Sequence, residues 1–163
     1  MPVKPENQFI SGVHKYLPQC VYHVKMNNPY VGGIPDVWYS GQAGDLWIEY
    51  KYIPRVPQRG SVTAALSVLQ EHWLQERHQE GRSVGVIVGC PTGGVYYSAL
   101  QWQTPVPALE FISRIQSRAD LAARISALVL GETYGDQIRS RAVPPAGNKA
   151  SRNRPSAYLQ RTV

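Results

Sequence analysis

The sequence is poor in charged residues and in cysteine, and it contains no long hydrophobic run. Only 17% of its 163 residues are charged while 43% are hydrophobic, a balance typical of a compact soluble domain rather than a disordered chain. No segment approaches the roughly 20 apolar residues of a membrane-spanning helix. The two cysteines, Cys20 and Cys90, provide neither a disulfide framework nor a zinc-ligand spacing, so we expect free thiols in a reducing cytoplasm.

Several common catalytic signatures are also missing. The four histidines show no HExxH or paired-ligand spacing, which argues against a zinc hydrolase. No GxSxG, Walker A or GxGxxG pattern occurs, so serine-hydrolase, P-loop and dinucleotide-binding functions have no support in the sequence.

The net charge of +6 comes from the C-terminal end of the chain. Up to Asp136 the basic and acidic residues balance at eleven each, and the six basic residues beyond it supply the excess. We therefore predict a domain over residues 1–135 and a basic arm over residues 136–163. The arm either grips phosphates or serves only to keep the protein soluble. Its basic residues are Arg139, Arg141, Lys149, Arg152, Arg154 and Arg161.

Hydrophobic periodicity predicts an α/β fold with a central mixed β-sheet flanked by helices. The predicted order is a helix, three strands, the longest helix, two strands and two extra C-terminal helices. The strand after the longest helix is continuously apolar, so we expect it to lie parallel to a hairpin strand through a right-handed crossover. The predicted elements are residues 4–17, 21–26, 37–39, 45–53, 63–79, 83–88, 95–98, 108–116 and 119–130.

Two acidic residues and a lysine are predicted to meet on one hairpin. Gly33-Ile34-Pro35-Asp36 leads into its first strand, and Glu49-Tyr50-Lys51 lies in its second. Because side chains alternate along a strand, Glu49 and Lys51 share one face and Tyr50 lies on the other. The hairpin then brings Asp36 close to Glu49. Charges that converge in a sheet are costly unless a cation and an anionic ligand join them, which indicates a site.

Oxygen ligands of this kind suit Mg²⁺ or Mn²⁺. The predicted ligands are the carboxylates of Asp36 and Glu49 and the carbonyl oxygen of Tyr50. Glu6 could reach a second metal position or hold a metal-bound water. A bound cation would polarise a phosphodiester and lower the pKa of a water molecule, and Lys51 could orient that water or balance charge on phosphorus.

Two further residues could position water or phosphate from the sides: Lys25 on the preceding strand and Gln70 within the longest predicted helix. Each candidate also has an ordinary explanation. Glu49 and Lys51 could form a solvated pair on an exposed face, and Glu6 could be a first-turn acid that favours the helix dipole. Gln70 could cap a neighbouring strand edge. Their joint placement around one hairpin favours a site.

These residues resemble the PD-(D/E)XK nuclease superfamily, most closely its compact VRR-NUC branch, which has stand-alone phage and bacterial members. The resemblance covers about residues 5–88 and implies a restriction-endonuclease-like core. It implies that Asp36 and Glu49 are metal ligands and that Lys51 is the catalytic lysine. Glu6 and Gln70 would be auxiliary site residues.

The resemblance implies a Mg²⁺- or Mn²⁺-dependent endonuclease that acts on DNA, with selectivity for branched, flapped or junction structures and with a homodimer as one assembly. We expect Arg55, Arg59 and the basic arm to grip the DNA backbone, in the host cytoplasm if a phage encodes the protein. The alternatives are a catalytically inactive nucleic-acid-binding protein and a phage interaction protein that retains the fold. RNA also stays open as a substrate.

Overall fold

The computed structural model describes residues 2–131 of the chain, which form four helices, seven strands and one 3₁₀ turn. The helices are α1 (Pro5–His14), α2 (Val68–Gln79), α3 (Ala108–Arg114) and α4 (Arg118–Leu130). The strands are β1 (Tyr22–Lys25), β2 (Val37–Gly41), β3 (Gly44–Tyr52), β4 (Ser61–Val62), β5 (Val84–Cys90), β6 (Gly93–Tyr97) and β7 (Val106–Pro107). No helix in this part of the chain is long and apolar enough to cross a membrane.

Five strands form a central mixed sheet in the order β1-β2-β3-β5-β6. Strands β3 and β5 are parallel, as predicted from the apolar run in β5, while the other neighbours are antiparallel. Strands β4 and β7 form a separate two-stranded sheet. The predicted α/β class, with a central mixed sheet flanked by helices, is confirmed.

Helices cover the sheet on both faces and create two apolar cores. Helices α1 and α4 pack on one face, where Leu46, Ile48 and Tyr50 of β3 are completely buried. Helices α2 and α3 pack on the other face, where Trp47 of β3 contacts the second core. Strand β5 is buried along its whole length because both faces are covered. The predicted alternation of side chains along β3 is therefore confirmed.

The boundaries of two predicted helices were wrong. Helix α1 ends at His14, although the apolar spacing extends to Leu17. Helix α2 begins at Val68 rather than Thr63, because Ser67 forms a capping box with Gln70 that fixes the first turn. The longest described helix is consequently α4, with 13 residues, and not α2, with 12. The helical spacing of Leu66, Leu69, Trp73 and Leu74 predicts a buried stripe along the predicted helix, but Leu69 is 60% exposed.

Strands β4 and β7 were not predicted, and one predicted segment is not described by the structure. The short strands β4 and β7 contain two residues each, too few to show the alternation that predicts a strand. The predicted basic arm, with Arg139, Arg141, Lys149, Arg152 and Arg154, lies outside the described residues.

Loss of the Ser67 cap should destabilise the protein measurably. We expect Ser67→Ala to lower the free energy of unfolding by about 1 kcal/mol, because the backbone N–H of Gln70 loses its acceptor. Ser67→Asn, which keeps an acceptor at the cap, should lose much less. Urea denaturation of the two variants measures the difference, and equal losses would contradict the assigned role of the cap.

Candidate active site at the end of the β2–β3 ladder

Asp36 lies at the point where the β2–β3 ladder ends. The last paired residues are Val37 and Ile48, and just beyond them the Asp36 Oδ2 atom accepts a hydrogen bond of 2.8 Å from the backbone N–H of Tyr50. Because the N–H and C=O of a strand residue point to the same side of the strand, the Tyr50 carbonyl also faces the side on which Asp36 lies. Asp36 and the Tyr50 backbone thus meet where the two strands of the hairpin separate.

Glu49 is the buried acidic residue of this site, with only 1% of its surface exposed. Its Oε1 atom accepts a hydrogen bond of 2.8 Å from Lys51 Nζ and a second one from Gln70 Nε2. Its Oε2 atom is also buried but has no hydrogen-bond partner within the described part of the chain. A buried carboxylate oxygen without a partner is costly, and a cation ligated at that oxygen would remove the cost.

The surroundings of Glu49 disfavour its ionised form. Burial, and next the negative charge of Asp36, raise the pKa of Glu49 to about 7, while the hydrogen bond and charge of Lys51 oppose the shift. The pKa of Glu6 is also raised, by burial first and then by Asp36. Asp36 therefore acts electrostatically on both glutamates. A divalent cation among these carboxylates would stabilise their ionised forms, so the residues present fit a metal site.

Glu6 occupies the first turn of α1, within electrostatic range of Asp36 and Lys51. Within residues 2–131, however, no three side chains of His, Cys, Asp or Glu are placed so that they could jointly hold one metal ion. Glu6 thus does not complete a three-carboxylate cluster with Asp36 and Glu49. The arrangement is two carboxylates and a backbone carbonyl, with Glu6 nearby.

Gln70 is oriented by the start of its own helix. Its side-chain oxygen accepts a hydrogen bond from the backbone N–H of Ser67, which directs the amide nitrogen toward Glu49. The Ser-x-x-Gln pattern of a capping box was present in the sequence and would have placed both the helix start and the orientation of Gln70. Gln70 therefore caps its helix, not a strand edge, and contacts the site at the same time.

Gly33 allows the loop that carries Asp36 to touch helix α2. Its φ angle is +88°, and a Cβ atom at this position would lie 2.5 Å from the backbone oxygen of Leu69. Both the left-handed backbone and the close approach require glycine. Since Leu69 is next to Gln70, this contact sets the distance between the Asp36 loop and the helix that supports Glu49.

The predicted DNA-binding residues within the described part of the chain are all exposed. Lys25, on β1, is exposed and donates a hydrogen bond to Asn7 of α1, a partner that no local pattern in the sequence indicates. Arg55 and Arg59 are exposed in the loop between β3 and β4, and neither forms an ion pair with a described acidic residue. The structure thus leaves both arginines accessible to a ligand.

No family model and no curated protein matches the chain. Among solved structures, the chain is similar to Hjc, a Holliday junction resolvase from the archaeal hyperthermophile Archaeoglobus fulgidus. The sequence identity is 13%, the match covers 74% of this chain and 97% of that chain, and the TM-score is 0.45. A likeness of this size carries no argument about activity, so membership of a nuclease family stays a prediction.

Substitution of Gly33 tests the contact between the Asp36 loop and α2. We expect Gly33→Ala to lower the free energy of unfolding by about 2 kcal/mol or more, through backbone strain and the clash with Leu69. Gly81→Ala is the matched control, because Gly81 has a similar φ of +79° and no atom within 4 Å of the added Cβ. Equal losses in urea denaturation would show that the close approach contributes nothing.

The raised pKa of Glu49 makes stability depend on pH. Its pKa of about 7 in the folded protein exceeds the ordinary glutamate value of 4.5, so the folded state binds this proton more tightly than the unfolded state. The stability that results is fully present at low pH and is lost as pH rises from about 4.5 through 7. His14 acts in the opposite direction, because burial lowers its pKa to about 4 and its protonation opposes folding below about pH 6.5. Only a comparison with a Glu49 variant separates the two effects.

We expect Glu49→Gln to gain stability relative to the metal-free parent protein by on the order of 2 kcal/mol between pH 5 and pH 8. The glutamine cannot ionise, so the variant does not pay the cost of a buried negative charge. Urea denaturation of both proteins in chelator at the two pH values gives the comparison. A difference that is the same at both pH values would contradict the raised pKa.

Proposed function

We propose that this protein is a metal-dependent endonuclease of the PD-(D/E)XK superfamily that hydrolyses phosphodiester bonds in DNA. The observation that carries the proposal is the buried Glu49: its Oε2 atom has no partner among the described residues, and the negative charge of Asp36 acts on its carboxyl group. A carboxylate held this way is costly to a protein that only needs to fold. A metal ligand is the role that accounts for that cost.

Asp36, Glu49 and the Tyr50 carbonyl are the groups that would hold Mg²⁺ or Mn²⁺. These ions prefer oxygen ligands, and they commonly use one or two carboxylates together with water and substrate phosphate. When bound, the ion supplies polarisation of the phosphodiester and a lowered pKa for the attacking water. The sheet supplies rigidity, because β3 is fixed between β2 and β5 and its backbone cannot shift freely.

Lys51 is the proposed catalytic lysine. Its ammonium group has three donors, and one of them binds Glu49 Oε1. With 22% of the side chain exposed, the ammonium group remains accessible to solvent and to a ligand. The remaining donors can orient a water molecule and stabilise the negative charge that develops on the phosphate oxygens during hydrolysis.

Gln70 and Glu6 are the proposed auxiliary residues. Gln70 and Lys51 both donate to Glu49 Oε1, so the carboxylate keeps one orientation and its Oε2 atom is left for a ligand. Glu6 adds negative charge near Asp36 and can accept a proton or bind water at the edge of the site. Lys25, Arg55 and Arg59 are the proposed contacts to the DNA backbone, and we propose selectivity for branched or flapped DNA.

A DNA-binding protein without catalysis is the second candidate. One observation favours it: Lys51 already forms an ion pair with Glu49, and such a pair can persist without a metal. In that case the same surface would bind DNA through its basic residues. Metal-dependent cleavage separates the two candidates directly.

The test is cleavage of a labelled panel that contains duplex, single-stranded, flapped and four-way-junction DNA and one RNA, with Mg²⁺, with Mn²⁺ and with chelator. We expect metal-dependent cleavage of DNA that Lys51→Ala reduces by about 100-fold or more, since one charge-stabilising group is worth on the order of 100-fold in rate. Lys15→Ala is the matched control, because Lys15 is an exposed lysine at the end of α1.

Binding of DNA without cleavage under either metal would reject the enzyme and favour the second candidate. Equal cleavage by the parent protein and Lys51→Ala would remove Lys51 from the mechanism. Cleavage of RNA in preference to DNA would reject the proposed substrate.

A further inference from the structure

A polar pocket lies between helix α1 and the edge strand β1, beside the candidate active site. Three of its lining residues, Asn7, Ser11 and His14, are spaced i, i+4 and i+7 along α1 and therefore share one face of that helix. None of its histidines takes part in the proposed chemistry. The pocket is lined by Asn7, Ile10, Ser11, His14, His23 and Lys25.

Groups that can carry positive charge converge in this pocket. The ring centroids of His14 and His23 are 4.3 Å apart. Burial is the main cause of the lowered pKa of His14, and the charges of His23 and Lys25 lower it further. No acidic group among the described residues offsets this effect at His14. An entering anion would relieve the repulsion between these groups.

The uncharged lining also offers hydrogen-bond donors. Lys25 Nζ donates to the side-chain oxygen of Asn7, which leaves the amide nitrogen of Asn7 as a donor. Within residues 2–131, neither that nitrogen nor the hydroxyl of Ser11 donates a hydrogen bond. A tetrahedral phosphate group, with several acceptor oxygens, matches a pocket that combines a lysine, an amide and a hydroxyl.

His14 is held rigidly at the back of the pocket. Its Nε2 atom is 2.8 Å from the hydroxyl of Tyr39, and that hydroxyl is 2.6 Å from the hydroxyl of Tyr50. The second contact is fully buried, so the chain of three side chains fixes the imidazole ring from the core. Nδ1 is then the ring nitrogen available to a ligand in the pocket.

The charge of the pocket decides between two classes of ligand. Two neighbouring histidines are a common pair of metal ligands. Lys25, however, lines the same pocket and repels a cation, and no third ligand of the His, Cys, Asp or Glu type joins the histidines in the described part of the chain. The lining therefore favours an anion.

The pocket adjoins the candidate active site. Asn7 follows Glu6 in α1, and the charge of Lys25 lowers the pKa of Glu6, opposing the upward shift from burial. The backbone N–H of Met26, next to Lys25, donates a 2.7 Å hydrogen bond to the carbonyl of Asp36. An anion in the pocket would therefore be a neighbour of the group bound at the carboxylates.

We propose that this pocket binds a backbone phosphate of the DNA strand, adjacent to the phosphate that is cleaved. The choice of DNA as the source of the phosphate rests on the proposed nuclease function. The pocket would then set how the strand lies across the site, because one fixed phosphate positions its neighbour along the backbone.

The first test measures DNA binding in chelator, where cleavage cannot occur. A labelled flapped duplex is titrated with the parent protein, Lys25→Met, His23→Gln and the control Lys15→Met, and binding is followed by fluorescence anisotropy. Lys15 is an exposed lysine in the turn after α1, and Lys25 and His23 are exposed, so all three variants should fold. We expect Lys25→Met and His23→Gln to raise Kd about 5-fold or more, and Lys15→Met less than about 2-fold.

The second test identifies the phosphate. Single methylphosphonate linkages, which remove one backbone charge each, are placed at successive positions of the strand. In the parent protein we expect one position away from the scissile bond to raise Kd by about 5-fold. In Lys25→Met that same position should have no further effect, because the partner of that phosphate is already lost.

Equal loss of DNA affinity in Lys25→Met and Lys15→Met would overturn the proposed phosphate binding in the pocket, and so would a methylphosphonate effect that persists in Lys25→Met. Neither result would contradict the proposed nuclease function. Position-specific coupling in a protein that never cleaves DNA would support the pocket and reject the enzyme. Absence of DNA binding by the parent protein would overturn both.

Discussion

The candidate site depends on one buried carboxylate. Glu49 lies in the middle of the central sheet, where burial and the charge of Asp36 raise its pKa to about 7. Lys51 and Gln70 satisfy one of its oxygens, and the other has no partner within residues 2–131. Contacts in the surrounding structure hold the Glu49 and Asp36 carboxylates close together despite their electrostatic repulsion.

Three separate parts of the chain provide these contacts. The hairpin fixes Asp36 against the backbone of Tyr50, and the capping box at the start of α2 fixes the amide of Gln70. Gly33 lets the loop that carries Asp36 contact helix α2, which carries Gln70. Tyr50 also connects the site to the core, because its hydroxyl binds Tyr39 on the face covered by α1 and α4. Packing of that core thus stabilises the backbone that carries the ligands.

Features with a short repeat along the chain could be predicted from the sequence. Strand alternation placed Glu49 and Lys51 on one face, and a single hairpin brought Asp36 to Glu49. The start of α2 was misplaced because the local cap at Ser67 begins the helix at Val68, after the predicted start at Thr63. Contacts between distant residues leave no local pattern, and the link between Lys25 and Asn7, 18 residues apart, could not be predicted. Strands β4 and β7 were too short to show a period.

The most direct test of the central claim is calorimetric titration of the protein with Mn²⁺ near pH 6.5 in two buffers that differ in ionisation enthalpy. If Glu49 is a ligand, metal must displace the proton that its raised pKa retains, so we expect the release of about half a proton or more per bound ion. Glu49→Gln should bind far more weakly and release none. Tight binding with no proton release, or unchanged binding by Glu49→Gln, would contradict a metal centre built on this carboxylate.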